Sequence, residues 1–267
     1  MPDRVSITVT DHVADVRLLR ADKHNALDWP MFVEINAALD DLGESPGVRA
    51  VVLSGEGRSF CSGLDFPSFA GGDNSIGDVF ERVDGDGANF AQRLSHGWAR
   101  LPMPVVAALH GACLGGGLQI ALGADLRIAA PDTRMSVMEV RYGLIPDMGI
   151  TAALPGLVRA DAARELTYTG RIVDAREALE LGLVTRIAED ARAAATELAQ
   201  EIASKSPDAT RSAKRLMREA WRAPASEGLA LEAELQKALI GSPNQIAAVQ
   251  AALSKQPASF EDPAPPA

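Results

Sequence analysis

The sequence predicts an α/β protein with a largely parallel sheet, continued at its C-terminal end by a region of consecutive helices. Three observations predict it. Short apolar runs of strand character alternate with segments of helical spacing up to about residue 160, the pattern that places crossover helices between parallel strands. From Asp161 onward, helical segments follow one another almost without interruption. The 267 residues are 47% hydrophobic but only 4% aromatic, so the core is expected to be close-packed from small and aliphatic side chains. We place an α/β core at residues 1–200 and a helical, oligomer-forming region at 201–267.

Residues 5–19 alternate around Asp11-His12 and read as a hairpin. Residues 29–42 have helical spacing, with Met31, Ile35, Ala38 and Leu42 on one face. Residues 48–54 read as a buried strand. A loop rich in Gly, Ser and Asp runs from there to about Gly87, and a helix over 88–100 follows. Residues 105–109 and 126–129 read as strands, with a small-residue helix over 118–122 between them. Helices are expected over 162–169, 175–181, 191–205, 208–221, 225–240 and 243–253, with a short return strand within 182–187. The Pro-rich tail over 262–267 is expected to fray.

The net charge of −10 argues against nucleic acid as a general partner. Cys61 and Cys113 are far apart in sequence and suggest neither a disulfide framework nor a metal site. His12, His24, His96 and His110 lack metal-ligand spacing. No apolar run is long enough to span a bilayer, and no signal-peptide core is present. A cytoplasmic protein without membrane attachment is the expectation.

The most informative stretch joins an apolar strand to three consecutive glycines, Gly115 to Gly117. Without a Cβ, backbone N–H groups there can approach a ligand closely. In the first turn of a helix those groups are unpaired and sit at the positive end of the dipole. Such donors can grip a carbonyl oxygen as it becomes an oxyanion. Tight helix packing is the plainer explanation of three glycines. A second Gly-bearing turn, residues 55–66, follows an earlier strand and could supply a converging donor. The glycine spacing is not the Gly-x-Gly-x-x-Gly of a dinucleotide site.

Four segments, in order, resemble the crotonase superfamily, the enoyl-CoA hydratase/isomerase family. They are Arg20-Ala-Asp-Lys-His-Asn-Ala-Leu, Ser59-Phe-Cys-Ser-Gly-Leu-Asp, residues 104–125 with His110-Gly-Ala-Cys-Leu-Gly-Gly-Gly-Leu-Gln, and Met138-Glu-Val-Arg-Tyr-Gly-Leu-Ile-Pro-Asp-Met-Gly. The resemblance spans roughly residues 5–260. It implies a crotonase-like spiral of ββα units with a C-terminal helical trimerisation region, a homotrimer or dimer of trimers, and an acyl-CoA thioester as substrate. Coenzyme A is then part of the substrate, and neither a separate cofactor nor a metal is expected. The resemblance assigns the thioester oxygen to the N–H groups of Leu64 and Gly116. It places coenzyme A along Lys23, His24, Ala26, Ser62 and Asp65, chiefly through backbone contacts. Lys23 is either a phosphate contact or a solvated surface lysine.

The resemblance also assigns the proton-moving groups. Glu139 matches the family's second catalytic carboxylate. The position of the first hydratase glutamate holds Gln119, which faces the pocket and cannot act as a general base. Its place is either against the substrate or in polar packing. Asp147, eight residues after Glu139, is either a second carboxylate, as in dienoyl-CoA isomerases, or an N-cap for a helix near Met148. His110 reads as structural, and a nucleophilic role for Cys61 or Cys113 is disfavoured by their apolar setting. An enoyl- or dienoyl-CoA isomerase using Glu139 is favoured. The alternatives are an enoyl-CoA hydratase acting as a lyase on 2-enoyl-CoA, and a non-catalytic acyl-CoA-binding member.

Overall fold

The computed structural model describes residues 3–70, 79–81 and 87–263. Strands β1 (Val5–Thr10) and β2 (Val13–Leu18) form the expected hairpin, paired from Val5 with Leu18 to Thr10 with Val13. Asp11 and His12 between them take φ of 47° and 66°, the left-handed geometry of a two-residue turn that follows strand twist. Helix α1 (Trp29–Gly43) starts at Asp28, whose carboxylate accepts the Met31 N–H at 3.1 Å, with Pro30 in the first turn. Strand β3 (Ala50–Gly55) and the short helix α2 (Phe66–Ala70) follow. Helix α3 (Phe90–Arg100) opens with a reciprocal capping box between Asn89 and Gln92.

The next turns of chain repeat a strand, strand, helix unit. Strand β4 (Val105–Leu109) leads through Gly111 into β5 (Ala112–Leu114) and helix α4 (Gly116–Gly123). Strand β6 (Leu126–Ala129) leads into β7 (Arg134–Ser136), a 3-10 turn over Glu139–Tyr142 and helices α5 (Ile150–Ala153) and α6 (Ala160–Thr169). Gly111 makes the corner: its φ is 53°, and a Cβ there would lie 2.0 Å from the Arg58 carbonyl oxygen. Strand β8 (Val173–Asp174), helix α7 (Ala175–Leu181) and strand β9 (Arg186–Ile187) complete the two sheets. The larger has the order β1-β2-β3-β4-β6-β9 and is parallel beyond the hairpin; the smaller has the order β5-β7-β8.

Alternate strand residues bury both faces of the large sheet. Val51, Leu53, Val105, Ala107 and Leu109 join the main core with Ile35, Leu94 and Trp98. Val52, Val106, Ala108 and Ile128 face Ala191, Ala195, Ala199 and Ala203 of α8 (Ala191–Ala203). Alanine at every fourth position lets this helix lie close against the strands. The boundary drawn at residue 200 falls inside α8. Helices α9 (Pro207–Ala220), α10 (Ala225–Leu239) and α11 (Pro243–Ser254) follow. None of the helices among the described residues is long and apolar enough to cross a membrane.

Three strands of two or three residues, β5, β7 and β8, and helices α2 and α5 were not legible as periodic segments. The tail also departs from expectation. Asp262 does not fray, because Arg49 Nη2 bonds both its carboxylate at 3.0 Å and the Phe260 carbonyl at 2.9 Å. Residues 264–267 lie outside the described residues.

Candidate active site

The glycine turn and the residue 59–65 turn meet beside β5. Cys61 N–H donates to Ala112 O and Leu114 N–H to Cys61 O, both at 3.0 Å, so the two segments run side by side. Gly117 permits this, since a Cβ there would lie 2.3 Å from the Cys61 carbonyl oxygen. Gly115 takes φ 53° and ψ −124°, a conformation that excludes ordinary side chains, and its N–H is held by Ser136 O at 2.9 Å. Leu27 bridges the other turn, donating to Gly63 O at 2.8 Å and accepting from Asp65 N–H at 2.9 Å. Both pairings bypass Leu64. Among the described residues, the N–H groups of Leu64 and Gly116 donate to no protein oxygen. The turns are close: a Cβ on Gly63 would lie 3.6 Å from Gly116 N.

Leu64 and Gly116 line one cavity of about 420 Å³, together with Ser62, Gln119, Glu139 and Asp147. Its remaining wall is largely apolar: Phe32 from α1, Phe66 and Phe69 from α2, and Tyr142, Leu144 and Met148 from the segment after β7. The residue 67–87 loop and the following helix contribute Phe69, Val79, Phe80 and Ala91; residues 71–78 and 82–86 lie outside the described residues. Sequence reading named none of these aromatics as wall residues, because they come from four separate segments with no shared spacing. A larger groove of about 890 Å³ lies between α1, α3, α9 and α10, but none of the candidate residues lines it. Of its cations, Arg93, Arg211, Lys214, Arg215 and Arg218 are bonded to protein groups.

Glu139 opens the 3-10 turn. Its Oε1 accepts Gln119 Nε2–H at 2.7 Å, while Oε2 is buried and has no partner among the described residues. Gln119 Oε1 in turn accepts the Met148 N–H at 2.8 Å. Burial raises the Glu139 pKa above the ordinary glutamate value; hydrogen bonds from its own backbone and from Gln119 pull it back, and the charge of Asp147 raises it again. Burial likewise raises the Asp147 pKa. Asp147 caps no helix: α5 begins after Gly149 and has no side-chain cap, and the Met148 N–H goes to Gln119.

The other candidate residues form a strip beside the cavity. Lys23 is exposed, and its carbonyl accepts the Ala26 N–H at 3.0 Å and Ser62 Oγ–H at 3.4 Å. His24 O accepts the Ser62 N–H at 3.0 Å, and His24 Nδ1 lies 2.9 Å from Ser59 Oγ. Arg20, whose side-chain role sequence reading missed, joins both halves of the strip. It donates to Ala26 O at 2.9 Å and pairs with Asp65 at 2.7 Å and Asp28 at 3.2 Å. His110 bonds Gly57 O at 3.0 Å, a structural contact. Cys61 and Cys113 are buried neighbours in a β-bridge. Burial pushes the Cys61 thiol up to about 12 and Cys113 well above its usual value, so neither is a ready thiolate.

The repeated strand-strand-helix turns and the cavity between two glycine-bearing loops define a crotonase-fold protein. An enoyl-CoA hydratase from Bacillus anthracis superposes with a TM-score of 0.90 at 30% identity, over 97% of this chain and 100% of that one. One from Mycobacterium tuberculosis H37Rv does so at 0.87 and 29%, over 98% and 100%. The rat mitochondrial delta(3,5)-delta(2,4)-dienoyl-CoA isomerase is 33% identical over 94% of this chain and 80% of its own. The enoyl-CoA hydratase/isomerase family model matches residues 8–263, and the chain belongs to that family. Its members are enzymes that act on acyl-CoA.

Proposed function

We propose that this protein is an enoyl- or dienoyl-CoA isomerase in which Glu139 moves a proton between carbons of a thioester enolate. The observation that carries the reading is the pairing of Glu139 with an amide, Gln119, where a paired-carboxylate hydratase would keep a second acid. The thioester oxygen sits on the N–H groups of Leu64 and Gly116, which have no protein acceptor. With a 3-enoyl thioester, the Glu139 carboxylate takes a proton from C2 and the electron pair delocalises onto the thioester oxygen. The resulting carboxylic acid returns the proton at C4, giving the 2-enoyl thioester and restoring the carboxylate. Atoms balance without water or a redox partner, so coenzyme A enters only as part of the substrate. Two unengaged donors aimed at the developing charge supply the electrostatic stabilisation, and an apolar wall raises the base toward a working pKa.

With a 3,5-dienoyl thioester, Asp147 serves as a second proton-transfer group, since it lines the same cavity as Glu139. The strip Lys23, His24, Ala26, Ser62 and Asp65 cradles coenzyme A through backbone groups, with Lys23 near a phosphate. The similarity to hydratases favours a second reading, in which Glu139 and Asp147 add water to a 2-enoyl thioester. A panel of acyl-CoAs with product identification separates the two. The isomerase reading expects 3-enoyl or 3,5-dienoyl thioesters to turn over much faster than crotonyl-CoA hydrates; brisk hydration overturns it. Glu139→Gln is expected to lower kcat by about 10²–10⁴-fold while CoA-ester binding survives, and an active variant removes Glu139 from the mechanism. The reading extends to a homotrimer or dimer of trimers held through the C-terminal helices, which a monomeric mass in light scattering would overturn.

A further inference from the structure

Gln119 lies in the first half of α4 with its side chain buried at 1% exposure. Both ends of its amide are engaged, and the chemistry of one partner settles which end is which. The Met148 backbone N–H can only donate, so the amide oxygen is the end 2.8 Å from it. The NH₂ end must then point at Glu139 Oε1, 2.7 Å away. Met148 directly follows Asp147, so one amide holds Glu139 at one end and the segment carrying Asp147 at the other. Oε1 of Glu139 is occupied and Oε2 is left without a partner.

We propose that Gln119 is a positioning residue for proton transfer: its amide ties Glu139 Oε1 to the Met148 backbone, sets the separation of the Glu139 and Asp147 carboxyls, and reserves Oε2 for the substrate. This rests on the isomerase reading of the site. A carboxylate at 119 could not do the same work. Facing Glu139 Oε1 at this distance, it would repel the ionised form or share a proton with it, and the two acids would titrate as a coupled pair. The other groups around Glu139 leave it alone. Arg141 packs against Gly170 at the end of α6, and the Tyr142 ring packs at a tilt against Phe66 with centroids 4.8 Å apart. Asp147 is the charged side chain whose field reaches Glu139.

Gln119→Met keeps the length and most of the volume but has no N–H to give. It is expected to lower kcat on a 3-enoyl-CoA by about 100-fold through misplacement of the base, with KM within about threefold of wild type. The acid limb of its kcat–pH profile is expected to move to higher pH, because a donor favouring the ionised carboxylate is gone. A role in packing alone would not move that limb. Wild-type kcat with an unshifted limb overturns the proposal. Gln119→Glu, which keeps an acceptor for the Met148 N–H, is read alongside in case the methionine variant fails to fold. It is expected to show a second ionisation in the profile, and a single wild-type ionisation overturns the proposal. Glu139→Gln run in the same assay separates the two levels. If it stays active, the isomerase reading falls. If it is inactive while both Gln119 variants behave as wild type, positioning alone falls.

Discussion

Burial makes the stability that Glu139 contributes depend on pH. Its folded-state pKa is raised, chiefly by burial, so the folded protein binds that proton more tightly than the unfolded chain does. The stability it contributes is present below the ordinary carboxylate range and is lost as pH rises through the raised value. Glu139→Gln removes the ionisation yet keeps an oxygen for Gln119 Nε2–H. The variant is therefore expected to melt above wild type at about pH 8, with the two converging near pH 4 where the ordinary glutamate is protonated. A variant that melts lower at pH 8 would show that the carboxylate stabilises the fold. The same shift means that a base required in its ionised form loses activity on the acid side at a pH above the usual carboxylate range. Glu139, Asp147, Leu64 and Gly116 were all nameable from the sequence. The hydrogen bond from the Gln119 amide to Glu139 was not, because it joins residues twenty positions apart on different turns of the spiral.

At the level of elements, the glycines at the two ends of α4 serve two purposes. Gly115 and Gly116 shape the turn that lines the cavity. Gly123, at the other end, lets α4 meet α3 backbone to backbone: a Cβ there would lie 2.0 Å from the Ser95 carbonyl oxygen. Ser95 also donates Oγ–H to Gln119 O at 2.6 Å, so this contact braces the helix that carries the Gln119 clamp. Gly123→Ala is expected to destabilise the protein by at least about 1–3 kcal/mol, because backbone cannot yield as a side-chain tip does. A shift in urea midpoint at unchanged slope measures it, and a wild-type midpoint would show that the helices can part. Elements with clear periodicity or caps, such as the hairpin, α1, β6 and α7, were legible to within a residue or two. Strands β5, β7 and β8 were not. At two or three residues each they are too short for a period-2 pattern, and they form only because the chain turns a corner into a second sheet.

For the whole molecule, the first of the C-terminal helices, α9, is pinned to this chain's own core. Lys214 of α9 is buried and reaches Trp98 O at 3.0 Å, Met103 O at 2.9 Å and the Asp125 carboxylate at 2.8 Å. Arg211 reaches Pro46 O and Val48 O at 3.1 and 3.2 Å. That docking leaves apolar side chains outside: Trp221 is 77% exposed, Leu229 64% and Leu253 81%. The proposed trimer would cover side chains of this kind. If the trimer forms there, Trp221→Glu is expected to lower the mass seen in light scattering while the circular dichroism of the fold survives. An unchanged mass would move the interface elsewhere.

The sequence by itself pointed to the fold class and the two glycine-bearing turns through local spacing and runs of adjacent residues, and to the family, with Glu139 as a candidate, through four segments that resemble it. It also determined that position 119 holds an amide rather than an acid. Only the tertiary structure decided which groups that amide bonds, that Asp147 caps no helix, and that Cys61 and Cys113 are neighbours. Those facts depend on which turns of the spiral lie against each other. That arrangement comes from sheet pairing and core packing across distant segments, which no single stretch of sequence encodes.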